Sequence, residues 1–392
     1  MGTADRNEPH KGNTAPESIS DKMQEILNSM AGVRYANHAV LAVESMAGSF
    51  HWSGATGIAH PDGTPMRTNT PFWIASVTKL YIASAVLKLH EQGRLSIYER
   101  MNSYLPWSLI EGLNRTKDGM DHSDKITLLH LLNHSSGIPD YLEIHRKGEK
   151  RLWDGILEDG DRSWSIEDTM QLVRNVNRPL FQPQPMDATK WKSRYSDTNF
   201  QLLIAIIQNV TGKPLQEVFD EMFYRPLNLE NTYLPSKSAY KNFPAAATIW
   251  YKSQILDIPY ALESARDLIS TADELIIFMR ALIRGEIFDD PVTAELMQSN
   301  WNRFGFQLSP VAPGWPIEYG LGMMRFKPPP LFSLIQPFPE LYGHTGVSSA
   351  CLFYCPETDM IITGTVSQLS AVAVPFKIVP KIAGFLSREL KT

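Results

Sequence analysis

Ser76 and Lys79 stand three positions apart at the start of the apolar segment SVTKLYIASAVLKLHEQG. Residues three apart in a helix project from one face, so the hydroxyl and the amine can form a hydrogen bond. The helix dipole and a low dielectric both disfavour the ammonium form, and we expect a fraction of Lys79 to be a neutral amine that accepts the serine proton. The backbone N–H of Ser76 at this helix start predicts half of an oxyanion hole.

The Ser-x-x-Lys spacing alone is weak evidence for a catalytic site, because average residue usage produces about one or two such matches by chance in a chain of this length. A second match, Ser238 to Lys241, lies in a polar stretch without a long apolar helix behind it, and we interpret it as a surface loop. The structural alternative for Lys79 is a core-helix lysine whose amine reaches solvent.

Tyr195 is the second candidate, and it opens the run YSDTN just before the apolar segment FQLLIAIIQNVTG. If its hydroxyl lies near Lys79, the positive charge favours phenolate, and Tyr195 becomes a second possible base that later protonates the leaving group. The alternative is a packed tyrosine ring, with Asp197 or Asn199 capping the helix. Whether Lys79 or Tyr195 is the acylation base stays open at this point.

The third signal is His344-Thr345-Gly346, which precedes the apolar run SSACLFYC. A glycine here lets a substrate lie close to the strand edge, and the backbone N–H of Val347 is positioned to complete the oxyanion hole. Thr345 and His344 are predicted to line the pocket by hydrogen bonds. The alternative for His344 is a partly exposed turn residue.

Three other readings compete with a serine hydrolase. His130 and His134, four apart, have the spacing of zinc ligands on a helix, but the glutamate of zinc metalloproteases does not follow the first histidine. The run GVSSA at residues 346–350 lacks the last glycine of a nucleophile elbow. A non-catalytic binding protein would be favoured by loss of the serine, lysine or tyrosine, and all three are present.

The elements that must position these residues predict an α+β fold. Strand-like patterns occur near both ends of the chain, and helical or loop-rich sequence fills the middle. We predict an antiparallel sheet flanked by helices, with an inserted all-helical domain. The expected parts are a flexible tail at 1–20, a split α/β domain at 21–96 and 240–392, and a helical domain at 97–239.

Composition narrows the possible partners. The 392 residues carry a formal net charge of −5 with interspersed charges, which makes nucleic acid an unlikely partner, and no apolar run is long enough to span a bilayer. Cys351 and Cys355 fall on one face of a strand, too far apart for a disulfide. Without a visible signal peptide, cytoplasmic location is the default expectation. No cofactor is predicted, the expected partner is a small ester or amide substrate, and the oligomeric state is open.

Together, the three motifs in this order resemble those of the serine penicillin-recognising superfamily. The similarity is to class C β-lactamases, D,D-carboxypeptidases and β-lactamase-like (family VIII) carboxylesterases, and blocks such as PFWIASVTKLYIASAVLKLHEQGRLS and ITLLHLLNHSSGIPDY extend it over most of residues 30 to 370. The resemblance implies a sheet domain beside an all-helical domain, with the active site between them. It also implies acylation of Ser76, with Lys79 and Tyr195 as base and acid, and the amides of Ser76 and Val347 as the oxyanion hole.

Departures from that family pattern bear on the substrate. Class C β-lactamases usually have lysine where this chain has His344 and asparagine where it has Asp197, so anionic substrates should bind less well. Val347 replaces a hydroxyl residue, and Arg325 is a candidate to compensate as a carboxylate ligand. We therefore predict a carboxylesterase, with D-amino-acid amide or peptide hydrolysis or acyl transfer as alternatives. Tryptophans that could line an apolar groove, although most are expected in the core, are Trp73, Trp153, Trp164, Trp191, Trp250 and Trp301.

Overall fold

The computed structural model describes residues 13–188, 190–236, 238–305, 316–327 and 339–390. Its centre is an antiparallel sheet of eight strands in the described residues, in the order β2-β1-β12-β11-β10-β9-β8-β7, beside two small two-stranded sheets, β3-β6 and β4-β5. The strands are β1 (His38–Ser45), β2 (His51–Gly57), β3 (Phe72–Trp73), β4 (Ile249–Tyr251), β5 (Gln254–Leu256), β6 (Ile269–Ser270), β7 (Asn302–Arg303), β8 (Ile317–Tyr319), β9 (Met324–Phe326), β10 (Leu341–Thr345), β11 (Cys351–Cys355) and β12 (Met360–Thr365).

The helices flank this sheet and fill the middle of the chain. They are α1 (Glu17–Ala31), α2 (Thr78–Glu91), α3 (Trp107–Ile110), α4 (Leu128–Leu132), α5 (Leu152–Asp159), α6 (Ile166–Val176), α7 (Asp197–Thr211), α8 (Leu215–Phe219), α9 (Arg225–Leu227), α10 (Ala239–Asn242), α11 (Pro259–Ala265), α12 (Ala272–Ile283), α13 (Thr293–Met297) and α14 (Val374–Glu389). A π-helical turn at Asp220–Tyr224 joins α8 to α9, and short 3₁₀ turns connect other elements.

Both faces of the central sheet are covered. Alternate residues of β1 face opposite sides, so Val40 and Ala42 join the core under α12, while Leu41 and Val43 join the core under α1 and α14. This double coverage explains why all eight residues of β1 are buried. The predicted α+β architecture is confirmed, and β1 and β2 form an antiparallel hairpin.

The segment from residue 97 to 239 is helical in its described part, where no strand longer than an isolated bridge occurs. Its helices α4 and α7 pack on each other, and α7 packs on α2. The largest hydrophobic core runs without a break from α2 into this segment and into α12. The predicted domain boundaries remain a prediction.

The starts of two helices coincide with residues that commonly begin helices. Thr271 caps α12 by accepting a hydrogen bond from the N–H of Glu274, and threonine is among the residues preferred at this position. The first helix begins at Glu17, directly after Pro16. Cys351 and Cys355 form no disulfide, as predicted, and both are buried. None of the helices in the described ranges has both the length and the apolar character needed to cross a membrane.

Candidate active site

Ser76 lies on a tight turn between β3 and α2. The turn is a 3₁₀ helix at Ala75–Val77, and Ala75 immediately before the serine has a φ of 49°. A left-handed conformation costs a non-glycine residue about 1 kcal/mol or more, and such strain collects where the surrounding structure holds a functional group in place. On the other side, Thr78 begins α2 and its hydroxyl accepts a hydrogen bond from Leu268 N–H at 2.8 Å. The nucleophile candidate is therefore fixed from both sides.

Two side chains from distant segments contact the Ser76 hydroxyl. Lys79 Nζ donates to Ser76 Oγ at 3.0 Å, and the hydroxyl of Tyr195 lies 2.8 Å from the same oxygen. Asp197, at the start of α7, forms an ion pair with Lys79. The predicted residues Ser76, Lys79, Tyr195 and Asp197 are thus brought into one hydrogen-bonded cluster, although Ser76 and Tyr195 are 119 positions apart.

The charge state of Lys79 differs from the sequence-based expectation. Burial alone would lower its pKa, but the carboxylates of Asp197 and Asp267 outweigh burial, and the pKa of Lys79 is raised. The amine is therefore an ammonium at rest. The expectation of a partly neutral lysine was wrong because the Asp197 side chain, which sequence alone does not place, lies against the amine.

Tyr195 also differs from its expected charge state. Burial, followed by the negative charge of Asp197, raises the pKa of Tyr195 well above its usual value. The side chain is a neutral phenol, and the expected drift toward phenolate does not occur at rest. Although Lys79 lies 5.1 Å from the centre of the Tyr195 ring, burial and the nearby carboxylate outweigh its effect.

His134 holds the loop that carries Tyr195. Its Nδ1 accepts hydrogen bonds from the backbone N–H of Ser196 and from the side-chain amide of Asn199, both at 3.2 Å. Burial lowers the pKa of His134 well below its usual value, so the ring is neutral and can accept both bonds. Its ring packs 4.5 Å from that of Tyr195. The backbone of His134 is in the left-handed region, with a φ of 58°. Because these two hydrogen bonds to its ring come from the segment around Tyr195, we interpret His134 as a positioning residue for Tyr195 and not as a metal ligand.

Gly346 brings the end of β10 against the Ser76 turn. A Cβ at this position would lie 2.5 Å from the carbonyl oxygen of Ile74, so no larger residue fits. Ser348 fixes the same loop by donating a hydrogen bond to the Trp73 carbonyl at 2.8 Å. In the described part of the chain, the N–H of Val347 makes no hydrogen bond to a backbone acceptor, so it is available to a ligand beside Ser76.

His344 lies behind the active site. Its Nδ1 donates to the carbonyl of Thr345 at 2.7 Å, and its Nε2 therefore accepts from the Tyr319 hydroxyl at 2.9 Å. Burial, with the charge of Lys79, lowers the pKa of His344 to about 3. The imidazole is neutral and fully buried, which corrects the expectation of a pocket-lining hydrogen bond from its side chain.

Arg325 is not brought to the active site. Its guanidinium pairs with Glu318 and lies 4.7 Å from the centre of the Trp301 ring. The expectation that it compensates as a carboxylate ligand is corrected, because Glu318 on the neighbouring strand β8 already occupies it. By contrast, a cavity beside Ser76 is lined by Thr345, Gly346 and Val347.

The remaining motif matches are structural in this fold. His130 Nδ1 accepts a hydrogen bond from Thr127 N–H in a capping box, and its Nε2 donates to the carbonyl of Gln184 at 2.7 Å. Both ring nitrogens are thus used within the protein, and His130 does not form a metal site with His134. Within the ranges that the structure describes, no group of three or more histidine, cysteine or acidic side chains could hold a metal ion. Ser238 is exposed and bonds to Ser236, as expected for a surface loop.

A cavity of about 460 Å³, here called the Ser76 cavity, opens beside the nucleophile candidate. Its wall is rich in aromatic side chains, among them Trp73, Tyr141, Trp153, Trp164, Phe200 and Tyr251. Three of the tryptophans considered from sequence therefore face it.

Asp140 and Asp267 are among the carboxylates of the Ser76 cavity that sequence reasoning missed. Asp140 accepts a hydrogen bond from Leu142 N–H at 3.0 Å, and burial raises its pKa well above the usual value. Asp267 directly precedes Leu268, which hydrogen-bonds Thr78 at the start of α2. The only sequence signal for Asp267 was its place at the start of the short apolar run before α12.

A protein-family model described as Beta-lactamase matches residues 32–375. The N-acetylmuramyl-L-alanine amidase of Bacillus subtilis is 32% identical over 188 residues, which are 47% of this chain and 38% of that protein. The chain thus spans well under half the length of this relative. A putative D-alanyl-D-alanine carboxypeptidase of Salmonella agona is 24% identical over 359 residues, 83% of this chain and 75% of that protein.

Solved structures share the fold over nearly the whole chain. A D-stereospecific amidohydrolase from Streptomyces superposes with a TM-score of 0.70 at 22% identity, covering 94% of this chain and 98% of the other. EstCE1, a hydrolase with promiscuous acyltransferase activity, gives the same TM-score of 0.70 at 20% identity and the same coverage of 94% and 98%. At these identities the similarity shows the fold alone.

Proposed function

The chain belongs to the β-lactamase family of serine hydrolases, and from this premise we propose that it forms an acyl-enzyme on Ser76 and hydrolyses small or medium carboxylic esters. The observation that carries the proposal is the contact of Ser76 Oγ with both Lys79 Nζ, at 3.0 Å, and the Tyr195 hydroxyl, at 2.8 Å, in the wall of a cavity. A nucleophile and two proton-handling groups in contact are what acyl transfer requires.

In the proposed reaction, Ser76 Oγ forms a bond to the acyl carbon while the bond to the leaving group breaks. The serine proton passes to the neutral form of Lys79, and Tyr195 gives its phenolic proton to the leaving group. The Lys79 ammonium then returns a proton to Tyr195. The amides of Ser76 and Val347 are proposed to stabilise the oxyanion, and water releases the acid in a second, similar step.

The charges of the Ser76 cavity support neutral esters over carboxylate-bearing substrates. Of the cations in the described cavity wall, Lys79 is paired with Asp197 and Arg151 with Asp154. Lys252 is exposed. A substrate carboxylate would meet Asp197 and Asp267 without a free buried cation, which is unfavourable. β-Lactams and peptides with a free C-terminal carboxylate are therefore poor candidates.

Amide hydrolysis is the second candidate, favoured by one observation. The raised pKa keeps Tyr195 protonated, and an amine leaving group needs a proton more than an alkoxide does. The structural neighbour from Streptomyces is described as a D-stereospecific amidohydrolase, which makes D-amino-acid amides the first amides to test.

The proposal is tested by a kinetic panel on the purified chain. Its substrates are 4-nitrophenyl butyrate, the 4-nitroanilide of D-alanine and a chromogenic cephalosporin, each measured with the wild type and with Ser76→Ala. Fast ester turnover that disappears in Ser76→Ala supports the proposal. Faster turnover of the anilide replaces it with the amidase function, and no turnover of any substrate supports a binding protein with this fold.

A further inference from the structure

Asp267 and Asp140 are carboxylates of the Ser76 cavity that form no ion pair within the described ranges, and Asp267 is the one that lies against Trp73. Asp197 is paired with Lys79, and Asp154 is paired with Arg151 at 2.7 Å. Asp267 forms no ion pair with any residue in the described ranges, although it lines the same cavity. Asp267 is therefore an acidic group of the cavity wall that no cation of the described residues pairs with directly.

The backbone holds Asp267 at this place by several contacts. Its neighbour Leu268 accepts a hydrogen bond from Ile74 N–H at 3.0 Å and donates one to the Thr78 hydroxyl at 2.8 Å. Its other neighbour, Arg266, ends α11 in the left-handed region with a φ of 59°. A strained residue on one side and a double tether to the Ser76 turn on the other place the carboxylate beside the nucleophile candidate.

A second unsatisfied group lies on the same wall. Trp73 is 3% exposed, and its indole N–H has no hydrogen-bond partner of ordinary length, although it lies close enough to Asp267 to act on that carboxyl group. A buried donor that is only weakly paired is unfavourable. An ionised carboxylate accepts several hydrogen bonds, so a ligand that keeps Asp267 ionised also gives Trp73 a stronger acceptor.

Aromatic faces and a carboxylate together suit an organic ammonium. The ring of Trp73 lies 6.4 Å from that of Trp153, and both line the Ser76 cavity. Such rings attract a cation through their faces, while the carboxylate supplies the opposite charge. Burial raises the pKa of Asp267 to about 7, with the charge of Lys79 opposing and that of Asp197 adding to the rise. A bound ammonium would favour the ionised form of Asp267 and so lower the pKa of this carboxyl group.

We propose that Asp267 selects substrates whose acyl part carries a protonated amine, such as aminoacyl esters or amides with a large apolar side chain. This inference rests on the proposed function, since it assigns the substrate class of the same cavity. In this arrangement the ammonium pairs with Asp267, the apolar side chain occupies the aromatic part of the cavity, and the carbonyl faces Ser76.

Binding of two matched probes tests the inference without any turnover. The probes are 2-phenylethylammonium and the neutral 2-phenylethanol, measured by calorimetry on the wild type, on Asp267→Asn and on Asp154→Asn. We expect the ammonium to bind the wild type about tenfold or more tightly than the alcohol. This preference should vanish in Asp267→Asn and persist in Asp154→Asn, whose carboxylate lines the same cavity but is paired with Arg151. Equal binding of both probes by the wild type would overturn the inference.

A kinetic comparison separates this inference from the proposed function. The 4-nitroanilides of D-phenylalanine and N-acetyl-D-phenylalanine differ in the charge of the amine, and the free amine should give the higher kcat/KM only when Asp267 is present. Labelling of Ser76 by a fluorophosphonate and hydrolysis of 4-nitrophenyl butyrate report the proposed function independently. If both of these persist while the amine brings no advantage, the substrate class is wrong and the serine hydrolase stands. If Ser76 is not labelled, the proposed function itself fails.

Discussion

Replacing Asp197 with asparagine is expected to change the protonation of Lys79. The two side chains are 3% and 20% exposed, so their attraction is only partly screened. Two unit charges about 4 Å apart attract by about 4 kcal/mol at an effective dielectric constant of about 20. Burial is the largest single influence on the pKa of Lys79 and acts to lower it. Without Asp197, burial is expected to dominate, and the pKa should fall.

The assay is kcat/KM for a neutral ester between pH 5 and pH 10, because its pH dependence reports ionisations of the free enzyme. If a neutral Lys79 accepts the serine proton, the rise of activity with pH should begin at lower pH in Asp197→Asn. The ratio of kcat/KM at pH 7 to that at pH 10 should increase about tenfold or more over the wild type, whatever the absolute rates.

Asp154→Asn is the matched control, since it removes a carboxylate of the same cavity from an ion pair whose members are 35% and 44% exposed. Such pairs contribute about 1 kcal/mol at most. Its pH profile should match that of the wild type. An unchanged profile in Asp197→Asn would refute the reasoning, because it would show that the ion pair does not control the proton acceptor.

Three further perturbations follow from the structure. Tyr195→Phe removes the hydroxyl beside the nucleophile and should lower kcat/KM by about 10²–10⁴-fold with little change in melting temperature; a loss below tenfold would exclude its proton transfer. Gly346→Ala introduces a Cβ 2.5 Å from the carbonyl of Ile74, and turnover should be lost while circular dichroism stays native; full activity would contradict the close contact. Burial lowers the pKa of His38 to about 4 and that of His344 to about 3. As the pH falls, these two histidines are therefore protonated in the unfolded chain at a higher pH than in the folded chain. The free energy of unfolding should therefore be highest above about pH 6.5 and fall by a few kcal/mol toward pH 4, and a constant value in denaturant titrations would contradict this.

Local patterns predicted the parts of the site that neighbouring residues define. Ser76 and Lys79 share a helix start, and the apolar segment behind them becomes the buried helix α2. Gly346 and Val347 precede β11, the strand that the apolar run SSACLFYC predicted. In each case the signal lies within a few residues, so sequence spacing translates directly into geometry.

Contacts between distant segments could not be predicted in the same way. The charge of Lys79 depends on Asp197, which is 118 positions away, and on Asp267, which no motif marked. Arg325 was predicted as a carboxylate ligand, but it pairs with Glu318 on the adjacent strand, and this strand pairing is not visible in the sequence. Electrostatic states follow from burial and from tertiary neighbours, and neither is encoded by a residue's own surroundings in sequence.

The most direct test of the central claim is intact-protein mass spectrometry after reaction with a fluorophosphonate, with peptide mapping of the modified site. The wild type and Ser238→Ala, which lacks the exposed serine of the second Ser-x-x-Lys match, should each gain one adduct, located on Ser76. Ser76→Ala should gain none while keeping its native circular dichroism. An adduct that persists in Ser76→Ala, or a folded wild type that stays unmodified, would contradict the assignment of Ser76 as the nucleophile.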